Sequence, residues 1–127
     1  MSSFLPEEDR KYLLSKDILF EEVDKDGKKA VILRRRILPV GRFDADVVNV
    51  LIVLPPGYPD VAPDMFYLCP WVRLLPGKNL PKAADQPLDF AGQRWQRWSR
   101  HNNEWRPGID GMWTMMKRVE HALENAA

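Results

Sequence analysis

The chain has 127 residues, enough for one domain around one modest core, and 45% of them are hydrophobic, as in globular rather than disordered sequences. With 19 basic and 18 acidic residues the net charge is +1, so no global field draws it to nucleic acid or to a membrane surface. The single cysteine, Cys69, excludes an internal disulfide and a zinc site built from several thiolates.

The segment from Met1 to Asp9 lacks a basic stretch followed by an apolar one, so it does not read as a secretory signal. No apolar run is long enough to span a bilayer, and a cytoplasmic location is expected. Pro6-Glu7-Glu8-Asp9 opens a helix, because proline suits the first turn and carboxylates suit the positive end of the helix dipole. This helix is expected over about residues 6–16, with Leu5, Tyr12 and Leu13 inward. Ile18 to Val23 reads as a strand, Asp24-Lys25-Asp26-Gly27 as a turn, and Ala30 to Leu38 as the second strand of a hairpin. The arginines at 34 to 36 read as solvated surface charge. Pro39-Val40-Gly41 breaks the hairpin. Val47 to Leu54 is nearly all apolar and rich in β-branched residues, which predicts a central strand.

Pro55-Pro56-Gly57-Tyr58-Pro59 is a stiff corner, since proline removes backbone donors and fixes torsions. Met65 to Cys69 is the fourth strand. Pro70 to Arg94 reads as a long irregular loop, and loops of that length in compact domains are often functional. Gly108-Ile109-Asp110 starts the last helix, where Ile109, Met112, Met116, Val119 and Leu123 repeat at steps of three and four along one buried face. The methionines read as core filling. Residues 1–127 therefore form one α+β domain: a helix, a four-stranded antiparallel meander, a long loop and a C-terminal helix packed on the sheet.

Tyr58-Pro59, a further proline at Pro63, the apolar strand that follows, and Trp105-Arg106-Pro107 ahead of a helix occur in a characteristic order. That order resembles the ubiquitin-conjugating superfamily, over most of the chain. The details are most similar to its bacterial branch, the prokaryotic ubiquitin-conjugating-like family E. The resemblance implies the ubiquitin-conjugating fold and an acyl intermediate carrying the C-terminus of a ubiquitin-like protein. It also implies that protein and an activating enzyme as partners, a metal-dependent isopeptidase in the same pathway, and no cofactor. Conventional members carry a cysteine shortly before the tryptophan of the tryptophan-x-proline motif. Here the count back from Trp105 lands near Arg97, and the segment from Gly92 to Asn103 contains no cysteine. The family's histidine-proline-asparagine motif is absent upstream, and His101-Asn102 does not align with it.

Ser99 is the nearest nucleophile to the expected position. A serine hydroxyl needs a base, and histidine is the side chain whose ordinary titration range suits that role. His101 lies two residues on, and residues two apart in extended chain share a face. Asn102 is the candidate donor to a developing oxyanion. Arg97 and Arg100 can stabilise negative charge or hold an acidic partner. Cys69 is the alternative nucleophile, though it would need exposure and a lowered pKa to act. Trp95 and Trp98, with the two arginines, form a candidate docking surface; the other reading is that the tryptophans pin a long loop, as expected for Trp105. His121 receives no role. No histidine and carboxylate pair has convincing metal spacing, and no glycine-rich phosphate loop is present. Two functions follow: a conjugating enzyme that carries an oxyester on Ser99, or a non-catalytic module that binds the ubiquitin-like protein or the activating enzyme.

Overall fold

Asp26 and Gly27 both take positive φ, 54° and 75°, the requirement of a two-residue turn whose twist matches its flanking strands. They join β1 (Phe20–Lys25) to β2 (Lys28–Ile37), with Lys25 opposite Lys28. The computed structural model describes residues 4–101 and 104–126. α1 (Glu7–Ser15) precedes this hairpin, with Glu7, Glu8 and Asp9 in its first turn. β3 (Val47–Leu54) pairs with β2, and β4 (Phe66–Cys69) pairs with β3, all antiparallel.

The segment read as a long loop up to Arg94 departs from expectation. It contains β5 (Gln86–Phe90), and β6 (Gln93–Trp98) follows at once. The sheet thus has six strands rather than four, in the order β1-β2-β3-β4-β6-β5. The β5–β6 turn is Ala91-Gly92, both at positive φ, 50° and 79°. An alanine in that conformation is uncommon, so the turn carries weak sequence signal. Pro87 sits within β5, which is tolerated because β5 is an edge strand. The Ala91 N–H also donates to the Asp26 carboxylate, so the two hairpin tips touch.

Alternation along the strands creates two apolar faces. One carries Val31, Leu33, Val50, Ile52, Phe66, Leu68 and Trp98, and buries them against Leu13 of α1 and against α2 (Met112–Glu124). The other gathers Ala30, Ile32, Leu51, Phe90 and Trp95 into a smaller cluster. Within α2, Met112, Met116, Val119 and Leu123 are buried as their spacing predicts. Ile109 is not: it precedes the helix and is 59% exposed.

Two polar side chains hold the non-repetitive parts. Asp9 is buried, accepts the Tyr58 hydroxyl, and accepts the backbone N–H of Met112 at 3.0 Å. One carboxylate thereby ties α1, the Tyr58-Pro59 corner and the start of α2 together. Burial and the neighbouring Asp9 push the Tyr58 hydroxyl far above its ordinary range, which keeps it protonated as the donor. Gly111 is required here by space rather than by φ, since a Cβ would lie 2.6 Å from Asp9 Oδ1. Gln96 is fully buried. It accepts the Val72 N–H and the Trp98 indole N–H, and donates to the carbonyls of Val72 and Ala84, all at 3.0–3.2 Å. This one amide makes three of the hydrogen bonds that pin the remaining loop to the sheet.

Ahead of α2, Asp110 accepts the Arg106 backbone N–H and guanidinium, and the Thr114 hydroxyl. Arg106 first of all holds the Asp110 carboxyl down to about 2, from an ordinary 3.8. A depressed folded-state value means that this contribution to stability is full above about pH 4 and is lost as pH falls through about 2. Urea midpoints measured between pH 5 and pH 2 are expected to fall less steeply in Asp110→Asn than in the parent. Parallel slopes would show that the ionised form gives no advantage on folding.

Candidate active site

The pairing of β4 with β6 sets the site. Phe66 lies opposite Trp98, so the residues just before β4 and just after β6 emerge at the same end of the sheet. Trp98 stacks on Phe66 with ring centroids 5.4 Å apart, which fixes that end. Beyond it, the Ser99 N–H donates to the Ala83 carbonyl at 3.0 Å. The Arg100 guanidinium sits 5.1 Å over the Trp98 ring and donates to the carbonyls of Lys82 and Ser99. The chain after β6 is therefore held by backbone and side-chain contacts on both sides.

Within that frame Ser99 Oγ lies 3.4 Å from His101 Nε2, and His101 Nδ1 lies 2.9 Å from Asp64 Oδ1. With the imidazole proton on Nδ1, donated to Asp64, the Nε2 lone pair faces the serine hydroxyl. This is the order of nucleophile, base and orienting carboxylate used by serine acyl-transfer sites. The longer of the two distances is ordinary for such a pair before a substrate tightens it. The side chains of His101 and Asp64 are 59% and 58% exposed, so an incoming acyl group has access. Asp64 was not among the sequence-derived candidates. It lies in the Pro63-Asp64-Met65 approach to β4, and only the β4–β6 pairing brings it to His101. Asn102, the candidate oxyanion donor, lies outside the described residues.

A family model described as prokaryotic E2 family E matches residues 5–126. The chain belongs to that family. No curated protein and no solved structure matches it. Membership gives the family E domain a function of the ubiquitin-conjugating type, with a ubiquitin-like protein and an activating enzyme as its partners. The α+β layout, with helices at both ends of an antiparallel sheet, agrees with that family. Among the described residues no helix is long and apolar enough to cross a membrane.

The remaining candidates of the family E domain separate. Cys69 closes β4 at the end away from Ser99, at least about 10 Å along the strand. It is half-buried against the smaller apolar cluster, and burial raises its thiol above the ordinary range despite Arg34 nearby. The structure does not bring it to Ser99, and its surroundings disfavour the thiolate. Trp95 and Trp98 are both fully buried, which corrects the docking-surface reading. Three residues apart on one strand, they point to opposite faces, and both faces are covered. Arg97 lies opposite Tyr67 and so belongs to the sheet face away from Phe66, separate from Arg100. Trp105 acts as a pin: its indole donates to the Pro59 carbonyl at 2.8 Å and packs beside Tyr58.

No group of three or more histidine, cysteine, aspartate or glutamate side chains is placed to hold a metal among the described residues. Beside His101 and Asp64 opens a cleft of about 590 Å³, between the start of β4 and α2. Phe66, Met115 and Ala122 contribute its apolar wall, while Arg100, Lys117, Arg118 and His121 contribute polar groups. Of the α2 residues that line it, Lys117 and Arg118 were not among the sequence-derived candidates and His121 had been given no role.

Proposed function

We propose that the chain is a conjugating-type acyl carrier that holds the C-terminus of a ubiquitin-like protein as an oxyester on Ser99. His101 takes the Oγ proton as Oγ attacks the acyl carbon of the activated donor. The bond from that carbon to the donor's leaving group breaks, and the leaving group receives the proton from Nε2. The acyl group then passes to a hydroxyl or an amine. Asp64 positions the imidazole, and Asn102 is retained as the oxyanion donor. A metal-dependent isopeptidase is placed in the same pathway, and no cofactor is needed. The observation that carries this reading is the Ser99–His101–Asp64 alignment, at 3.4 and 2.9 Å.

Intact mass after mixing the protein with its activating enzyme, ubiquitin-like protein and ATP tests it. The expected adduct survives thiol reductant, is lost to hydroxylamine or base, and is absent from Ser99→Ala. An adduct of unchanged yield in Ser99→Ala sinks the assignment. An adduct lost to thiol reductant moves the nucleophile to Cys69.

The exposure of His101 and Asp64 supports a second reading. A polar cluster this open also suits a non-catalytic domain that presents the ubiquitin-like protein or steadies the activating enzyme. Undiminished pathway output from a chain lacking both Ser99 and Cys69 would favour it.

A further inference from the structure

The cleft beside Ser99 has a charge imbalance that the proposed acyl transfer does not use. Arg100, Lys117 and Arg118 line it together with His101 and His121, and among the described residues Asp64 is the one carboxylate in that lining, already engaged by His101. Arg118 pairs with no carboxylate among the described residues, and its Nε is buried without a hydrogen-bond partner. Lys117 is likewise unpaired with any carboxylate, its ammonium resting 5.5 Å from the Trp113 ring. Burial lowers the Arg100 guanidinium below its ordinary range, the mark of a cation that is partly removed from water. Partly desolvated cations without anions are costly, and the cost is recovered when an oxyanion enters and accepts charge-assisted hydrogen bonds.

We propose that this cleft docks an acidic segment, a run of aspartate or glutamate side chains, on the protein that meets Ser99. The proposal rests on the acyl-carrier reading only for what the docked segment is for. Two features select an acidic polypeptide. The cations are spread along the cleft, from Arg100 on the sheet side to Lys117 and Arg118 on α2, which suits several carboxylates in series rather than one small ion. Among the described residues Phe66 is the one phenylalanine, tyrosine or tryptophan in the wall, and at 1% exposure it offers no face for a nucleic-acid base, which leaves stacking to the histidines, of which His101 is already held by Asp64. A segment seated there passes directly beside His101, so docking brings its own protein to the nucleophile.

The full chain is titrated into a fluorescein-labelled oligoglutamate peptide, with oligoglutamine, inorganic phosphate and oligothymidylate as comparisons, at low and at physiological ionic strength. Oligoglutamate is expected to bind, more weakly as salt rises, while oligoglutamine does not. Arg118→Gln is expected to weaken binding by about tenfold, the loss of one charge-assisted hydrogen bond. Lys117→Gln weakens it less, and Lys25→Gln, in the β1–β2 hairpin, leaves it unchanged. Equal binding of oligoglutamine overturns the proposal, as does undiminished binding in both α2 variants. Tighter binding of phosphate or of oligothymidylate than of oligoglutamate also overturns it. Circular dichroism of each variant separates loss of binding from loss of fold. The assay contains no ATP, donor or adduct. Its failure therefore leaves the Ser99 chemistry standing, and failure of the Ser99 adduct leaves the docking result standing.

Discussion

His101→Gln is expected to slow formation of the Ser99 adduct by about 10²–10⁴-fold, the range that a positioned general base contributes. The variant keeps a side chain of similar reach and leaves Ser99, Arg100 and the sheet end untouched. The role of Asp64 is then separable from a purely structural one. In Asp64→Asn the amide can donate to Nδ1, which places the imidazole proton on Nε2 and turns the base into a donor toward Ser99. Asp64→Asn alone should therefore slow adduct formation by a large part of the His101→Gln effect. Residues that act as one unit are strongly non-additive. Adding Asp64→Asn to His101→Gln should consequently cost little more than His101→Gln by itself. Single-turnover rates of the parent, the two variants and the pair decide the matter. Multiplicative losses would mean that Asp64 acts elsewhere, and full-rate adduct formation in His101→Gln would mean that the serine is activated by another group.

The residues of this site were unequally legible. Ser99 and His101 stand two apart, so their partnership could be read from strand periodicity alone. Asp64 stands 37 residues from His101, and nothing local links them. The link is the pairing of β4 with β6, and β6 was hidden because its turn is Ala91-Gly92 and its partner strand contains Pro87. The same omission misplaced Trp95 and Trp98. Assigned to a loop, they looked available to a partner; placed on a strand between two apolar layers, they are core. By contrast α1, β1 to β4 and α2 were legible. A proline with acidic residues, an Asp-Gly turn, an apolar β-branched run and a three-and-four spacing each state one structure locally, and no distant partner was needed to choose it. The cationic cleft was unreadable for the opposite reason. Arg100 was already a candidate for an acidic partner, but Lys117 and Arg118 are ordinary surface residues until the fold lays α2 beside the end of β6.

Removing the Gln96 amide is expected to have the largest effect on the fold. Gln96→Ala leaves the Val72 N–H, the carbonyls of Val72 and Ala84, and the Trp98 indole N–H without their partner, and opens a cavity besides. An unsatisfied buried polar group costs about 1–3 kcal/mol, so even with partial rehydration a loss of about 4 kcal/mol is expected. That is a large share of the roughly 5–15 kcal/mol that holds a domain of this size together. Gln96→Leu separates the two contributions. It refills most of the volume but supplies neither donor nor acceptor, so it should recover less than about 1 kcal/mol of the loss if hydrogen bonding dominates. Urea unfolding followed by tryptophan fluorescence measures both variants, and a stable Gln96→Leu protein would show that packing dominates. Hydrogen exchange at Val72 adds a local reading. If the loop detaches without global unfolding, the Val72 amide loses protection while the amides of β2 and β3 keep theirs. The consequence reaches the nucleophile, because Ala83 in the same loop accepts the Ser99 N–H. A detached loop frees the Ser99 backbone, widens the 3.4 Å approach to His101, and should lower the adduct rate even where most of the sheet survives.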